Sequence, residues 1–383
     1  MKRKILILLL LGVFAFAGKD CPSRLVANLH SITDTLSAGM ELRGFYYNVD
    51  GESYYFYALA SMLRWEPNEY FSVESELNFK PKDFIPCELQ GKGISPFVLR
   101  TLYLSYTPES EAYSLQAGRQ LISESSGLML DDFFDAVYIT AERGRFSFSA
   151  GGGFLALDAA RETKHCQRCY FYEYKNCWKG FCEAEYGDFR MGFLRIEGEL
   201  SSRISASIMF LVADTHDEDL SSSNISMGFR VKLPARFKIY SEFALQRIKQ
   251  EGQIAYGQDV QIIKSFRVKK LGTVFLKVHS LYATGDPLFT PIYGNISMGD
   301  RLHLTVRQGF TNGFSVKFMP SFARWLTLKG GWYYNSVFGS EFDAGLEISF
   351  DRNEARRLLL YYSRANTGYG IVNQFRAELR INI

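Results

Sequence analysis

Histidine and tryptophan are scarce: the 383-residue chain holds 5 and 4 of them, and only 10 prolines. A chain this poor in proline and 47% hydrophobic is neither disordered nor collagen-like. It contains no G-x-S-x-G elbow, no H-E-x-x-H pair and no G-x-x-x-x-G-K-[ST] phosphate loop. The nearest approach to a catalytic pair, His279 and Ser280, falls on opposite faces of an alternating segment. Beyond residue 17 no apolar run reaches the roughly 18 residues of a spanning helix, which excludes a helical membrane protein. The expectation is therefore a non-enzyme without a cofactor.

Charge of one sign is lacking too. Three of the 44 basic residues, Lys2, Arg3 and Lys4, precede an apolar run from Ile5 that ends in Ala15-Phe16-Ala17. That is the form of a cleaved export signal. Residues 1–17 are read as the signal peptide and 18–383 as one mature domain. Cleavage there leaves 41 basic residues against 41 acidic ones, so composition gives no support for a nucleic-acid partner. Asp20 and Lys19 before Cys21 do not suit a lipoprotein anchor.

What the chain does have is glycine (32), phenylalanine (32) and tyrosine (23). From residue 37 onward the apolar period is two. In Phe375, Ala377, Leu379 and Ile381 against Gln374, Arg376, Glu378 and Arg380, the two faces separate completely. The same pattern runs through 70–80, 224–234, 236–249, 325–336 and 341–350. Strict alternation describes a strand with one wet and one apolar face. About eighteen such segments can be read, most near the length that crosses a bilayer when tilted.

The joins between segments alternate as well. Arg143-Gly144, Ser201-Ser202, Ala235 and Lys269-Lys270 are tight, while 81–95, 158–187 and 284–312 are long. Turns at one end and loops at the other describe an up-and-down barrel with turns in the periplasm and loops outside. Only a closed sheet leaves no unpaired edge in lipid. Aromatic clusters such as Tyr46-Tyr47, Trp332-Tyr333-Tyr334 and Tyr361-Tyr362 read as an interfacial girdle. The fold expected is all-β: a transmembrane antiparallel barrel of about 18 strands in the outer membrane of a Gram-negative-type bacterium. The C-terminal strand would be the element that the outer-membrane assembly machinery engages.

Three stretches resemble the bacterial alginate export family, a family of outer-membrane channels. They are Leu115-Gln-Ala-Gly118-Arg119-Gln120, Asp131-Asp-Phe-Phe-Asp135-Ala-Val137, and Thr284-Gly-Asp286-Pro-Leu-Phe289-Thr-Pro-Ile-Tyr293-Gly294. The resemblance implies an eighteen-stranded barrel with a charged, Arg-rich lumen and loops folded over the passage. The chain departs from that family in being shorter than many members and in the four cysteines of its largest loop.

With polar faces inward, the solute path is expected to be lined by Arg43, Glu74, Glu76, Arg195, Glu197, Arg230, Lys232, Lys238, Glu242, Lys329, Arg376 and Arg380. Two readings stand: an Arg/Lys lining that favours anions, or structural ion pairs with selection by size alone. Arg119 is awkward, because alternation with Leu115 and Ala117 aims it at lipid, where a mid-bilayer Arg costs about 2–4 kcal/mol. A bulge at Gly118 or a place above the hydrocarbon band would relieve this. The family resemblance implies an inward Arg119 paired with a carboxylate such as Asp135. Cys166, Cys169, Cys177 and Cys182 form C-x2-C-x7-C-x4-C in an exported loop. Disulfides are the expectation there, with zinc or an iron–sulfur centre the alternatives.

The function expected is passive passage of a polar, anionic solute such as an oligosaccharide, a uronate-like polymer or an organic acid. The alternatives are a structural or adhesive barrel plugged by its loops, with the Cys loop as binding element, and a barrel carrying a redox or metal centre on that loop.

Overall fold

The computed structural model describes residues 29–49, 51–79, 97–123, 128, 131–154, 190–214, 221–249, 252–284, 309–336, 339–351, 356–367 and 370–382. The export signal, the four loop cysteines and nearly all of the Thr284–Gly294 stretch lie outside these residues.

Among the described residues, alternation becomes strand almost everywhere. In chain order the strands are β1 (His30–Thr33), β2 (Leu36–Val49), β3 (Glu52–Asn68), β4 (Phe71–Phe79), β5 (Phe97–Tyr106) and β6 (Tyr113–Ser123). There follow β7 (Asp131–Arg143), β8 (Phe146–Phe154), β9 (Arg190–Ser201), β10 (Ile204–Asp214), β11 (Ser222–Leu233), β12 (Phe237–Ile248) and β13 (Ile254–Val268). The series ends with β14 (Gly272–Ala283), β15 (Gly309–Pro320), β16 (Leu326–Asn335), β17 (Gly339–Ser349), β18 (Arg356–Thr367) and β19 (Gly370–Asn382). From β2 onward each strand pairs antiparallel with the next. β19 returns to β2 from Gln374↔Val49 to Asn382↔Glu41. Eighteen strands thus close the barrel, and the 3-10 turn Pro234–Arg236 is the helical element among the described residues.

β1 was not expected from the sequence. It pairs His30 with Ala38 on β2, in the stretch of β2 just below the point where β19 stops. Its four residues, His-Ser-Ile-Thr, show no alternation to read; it is a strand because β2 offers it an edge.

The barrel is turned as lipid demands. Leu104, Val137, Ile139, Leu194, Phe210, Val212, Val278, Phe314 and Phe342 stand exposed on the outer surface. Aromatic rings form a girdle on that face: centroids are 6.1 Å apart for Phe243–Tyr256, 5.1 Å for Tyr256–Tyr282 and 4.4 Å for Tyr282–Phe310. Near the tight turns, Phe71, Tyr106 and Tyr113 form a second such group. A closed sheet with an apolar, aromatic-bordered exterior is an outer-membrane barrel. The girdle takes only alternate residues of each aromatic run, however. Tyr333 and Tyr361 alternate inward while Tyr334 and Tyr362 stay exposed, because adjacent strand residues face opposite ways.

The inward face carries the polar residues, with one exception. Ile122, Leu128, Phe134, Met191, Phe193, Met209, Leu211 and Leu281 form a buried apolar cluster inside the barrel, with Tyr138 and Tyr333 against it. It gathers toward the loop ends of β6 to β14.

Candidate functional site

Register turns a list of charges into rows. Lys317 stands opposite Lys329, Lys329 opposite Gly345, Gly345 opposite Tyr361, and Tyr361 opposite Arg376. Two residues nearer the turns, Thr327, Glu347, Leu359 and Glu378 follow one another across the same strands. Two further on come Arg357, Arg380 and Arg43. The arc from β15 through β19 to β2 therefore presents a basic row, an acidic row and another basic row to the lumen.

The acidic row holds the basic ones in place. Glu347 receives Lys329 at 2.8 Å and Arg357 at 3.3 Å. Glu378 receives Arg376 at 2.5 Å, Arg380 at 2.6 Å and Arg43 at 3.4 Å, and Arg43 also meets Glu41 at 2.9 Å. Charges withdrawn from water need such partners. Burial then sorts the arc. The side chains of Glu378 and Arg43 are 0% and 2% exposed, while those of Lys329, Arg357 and Arg380 are 33%, 29% and 22% exposed. Arg43 is a brace; Lys329, Arg357, Arg380 and the exposed Lys317 are the accessible charges of the arc. Asp343 and the buried Glu341 stand on the same face of β17 nearer the loop end, so the arc carries six cations against five carboxylates and keeps a surplus of one.

Next to it Asp259 and His279 lie 2.6 Å apart, both buried, with Gln261 donating to the same carboxylate at 2.7 Å. The sequence reading missed this pair, and Arg357 and Tyr361 with it. Arg356-Arg357 and Tyr361-Tyr362 are doublets, and a doublet does not say which member faces inward.

The other sequence-selected residues are spread along the remaining wall. Arg195 bonds Glu197 at 3.3 Å. Glu74 accepts from the Tyr103 hydroxyl at 2.7 Å and lies 3.4 Å from Arg64; Glu76 is part-buried two residues above it. Lys232 and Lys238 are directly paired on β11 and β12, and the Arg230 guanidinium sits 5.2 Å from the Tyr240 ring. Glu242 is buried opposite Gly228. A cavity of 780 Å³ toward the turn end is bordered by Glu142, Glu197, Glu199, Glu242, Arg145 and Arg230. Another, of 620 Å³, adjoins Arg64, Glu66, Glu69 and Glu74.

Arg119 is placed differently. The β5–β6 ladder ends at Leu102↔Arg119, although β5 continues on β4 and β6 on β7. The Arg119 side chain fills the resulting seam: Nε donates to the Leu99 carbonyl at 2.8 Å and Nη1 to Asp135 at 3.0 Å. Gly118 makes the departure possible. Its φ is +123°, and a Cβ there would stand 2.3 Å from the Leu102 oxygen. Arg119 is thus a wall residue, only 4% exposed, and it pairs with Asp135, the partner the family resemblance implies.

No protein-family profile matches the chain, and no curated protein matches its sequence. Solved structures do match its shape. OccK11 (OpdR) of Pseudomonas aeruginosa superposes with TM-score 0.60 at 12% identity, over 91% of this chain and 96% of that one. The outer membrane protein OpdK of the same organism gives 0.59 at 12%, over 91% and 98%. OccAB1 of Acinetobacter baumannii gives 0.56 at 11%, over 93% and 98%. At such identity the likeness is one of fold: a porin-like outer-membrane barrel.

Proposed function

We propose that this barrel is a passive outer-membrane channel for a polar, anionic solute. The observation that carries the reading is the pair of cation rows on the β15–β2 arc, Lys317-Lys329-Arg376 and Arg357-Arg380-Arg43, which outnumber Glu347 and Glu378 between them. A basic lining concentrates anions in a water-filled pore and slows cations. No energy source is needed, since diffusion along the rows suffices. The three stretches resembling the alginate export family support the same class of solute. An export signal over residues 1–17 and engagement of the C-terminal strand by assembly machinery accompany this reading.

The test is a planar bilayer containing the purified protein under a potassium chloride gradient. A reversal potential of the sign set by chloride supports the proposal; one set by potassium overturns it. One observation favours a second reading, a structural or adhesive barrel: the apolar cluster from Ile122 to Leu281 occupies lumen that a wide pore would leave to water. Bilayers that stay silent with correctly folded protein support that reading instead.

A further inference from the structure

The turn end of the barrel is divided by charge. The turns that lead into β2, β4 and β6 hold Asp34, Glu66, Glu69, Glu109 and Glu111, with no Lys or Arg in 33–35, 65–72 or 107–112. Across the barrel the balance reverses. Stretches 225–241, 260–278 and 313–330, which carry the turns of β11–β16, contain no Asp or Glu. Arg236, Lys269, Lys270 and Arg324 stand exposed at those turns. Backbone preference does not account for them. Arg236 and Lys270 have φ of +63° and +66°, a region that suits glycine, and Gly144 fills such a place at the β7–β8 turn with φ +65°. Charge is kept on these turns against local strain.

The three turns form one shelf. Ser321 donates through its backbone N–H to the Leu271 carbonyl at 2.8 Å and through Oγ to the Lys270 carbonyl at 2.7 Å, joining the second turn to the third. Lys264 joins the first two, since Nζ donates to the Ala235 carbonyl at 2.5 Å. Lys264 also marks a level. It lies in a lipid-facing row between Phe237 and Leu276, both exposed, and its ammonium is 3.8 Å from the Phe237 ring centroid. A lysine on the lipid side extends to the headgroup plane. This one extends to Ala235, which sets that plane at the shelf. Apolar side chains border the same turns: Leu271, Phe322 and Trp325 are 55%, 78% and 54% exposed. Cations beside apolar side chains at a bilayer edge match a lipid with an anionic headgroup and chains alongside.

We propose that the β11–β16 turns are a seat for anionic phospholipid in the leaflet that faces the periplasm, with Arg236, Lys269, Lys270 and Arg324 taking the phosphates. The acidic turns opposite repel the same headgroups, so the lipid gathers on one side of the barrel. The seat is independent of whether the barrel conducts.

The probes are dibrominated phosphatidylglycerol and dibrominated phosphatidylcholine, alike in their chains and different in charge, each diluted into phosphatidylcholine vesicles that contain the full-length protein. Bromine quenches nearby tryptophan. With Trp65, Trp178 and Trp332 changed to Phe, Trp325 alone reports from the shelf; the protein with all four tryptophans is measured beside it and should shift in the same sense. Quenching at about 0.1 M salt should show phosphatidylglycerol favoured at the shelf by about fivefold or more, since each cation near the surface contributes about fivefold. Lys270→Gln should lower the preference by about fivefold, and Lys270→Arg should keep it. Neutralising Lys269, Lys270 and Arg324 together should bring the two lipids level, and so should 1 M salt. Lys238→Gln, on the inward face of β12, should change little. Equal quenching by the two lipids in the parent protein overturns the proposal, as does a preference that survives the triple change or high salt. An effect of Lys238→Gln as large as that of Lys270→Gln also overturns it, because the field of the whole mouth would then be at work. Soluble polyglutamate that binds the vesicle-embedded protein, without any phosphatidylglycerol preference, would make the partner an acidic macromolecule and refute the lipid seat.

Discussion

On the wall from β15 to β2, six cations and five carboxylates share the inward face. From β5 to β8 the described inward polar side chains are instead mostly uncharged, among them Thr101, Tyr103, Ser105, Gln116, Tyr138, Thr140 and Ser149, with Glu142 at the turn end. The ion pair seen on that side, Arg119–Asp135, closes a seam in the wall. Both arcs alternate equally well and both bury polar atoms, so alternation explains neither difference. Where backbone ladders are complete, side-chain charge is left over for the lumen. Where a ladder is interrupted, charge replaces the missing backbone bonds, since lipid supplies none. Charge on a barrel's polar face can therefore serve the wall or the passage, and the register decides which.

The sharpest way to break this comparison is to remove the carboxylate on which the charged arc converges. Glu378→Gln removes the carboxylate that Arg43, Arg376 and Arg380 share and leaves Glu41 to Arg43. Breaking a buried pair from one side costs about 3–5 kcal/mol. The expected outcome is loss of the heat-resistant folded band on gels, or a large drop in the urea midpoint. Little change would mean that water, not Glu378, balances the arginines.

Next in size is the seam. Arg119→Ala removes the donors to Leu99 and Asp135 and leaves that carboxylate without its guanidinium. The expected loss is about 2–4 kcal/mol in urea unfolding, from charge-assisted hydrogen bonds and the stranded partner. Gly118→Ala should also destabilise, since a Cβ there meets the Leu102 carbonyl. Chloride selectivity of the folded Arg119→Ala channel should match wild type. A change in selectivity would return Arg119 to the water-filled face.

How far these distinctions could be read beforehand differs from residue to residue. Phe375 to Ile381 announced β19, and the tight joins at Gly144 and Ser202 announced the end of the barrel they occupy, because alternation and turn chemistry are local. Arg119 was legible in part: an irregularity at Gly118 and a partner in Asp135 were expected, but parity aimed the side chain at lipid, and the early end of the β5–β6 ladder shows where it goes. Met209-Phe210-Leu211-Val212 is apolar on both faces, so no pattern marks Met209 and Leu211 as interior. Their burial comes from strands far away in sequence. Arg357 and Tyr361 were hidden by doublets, and β1 had no pattern to show. Faces were legible; the use made of each face depended on register between strands, which a single sequence does not carry.

Smaller effects are expected where a charge is exposed rather than braced. Lys317→Glu or Lys329→Glu should lower the chloride-to-potassium permeability ratio, read from reversal potential. Coulomb attraction at roughly 10 Å in water is about 0.4 kcal/mol per unit charge, or about a factor of two. A charge reversal should therefore reduce the ratio about fourfold. A one-unit change on each arc makes the comparison: Lys317→Gln should lower the ratio about twofold, while Ser149→Glu on the uncharged arc should leave it nearly unchanged. Equal effects at the two sites would mean that net lumen charge, not the rows, sets selectivity.

The weakest perturbation, salt, separates the two uses of charge in a single protein. Raising ionic strength from about 0.1 M to 1 M shortens the Debye length from about 10 Å to 3 Å. Lys329 and Arg357 are about one-third exposed and are reached by that screening, whereas Glu378 and Arg43 are sealed from it. The permeability ratio should thus fall toward unity in high salt, while the urea midpoint moves little. The exposed rim pair Lys249–Asp214, at 3.4 Å with both side chains more than half exposed, provides the scale for that small shift: such pairs contribute about 0.2–1 kcal/mol. Should high salt instead collapse the fold along with the selectivity, the buried rows would be wetter than their side-chain burial shows, and brace and passage would be one set of charges.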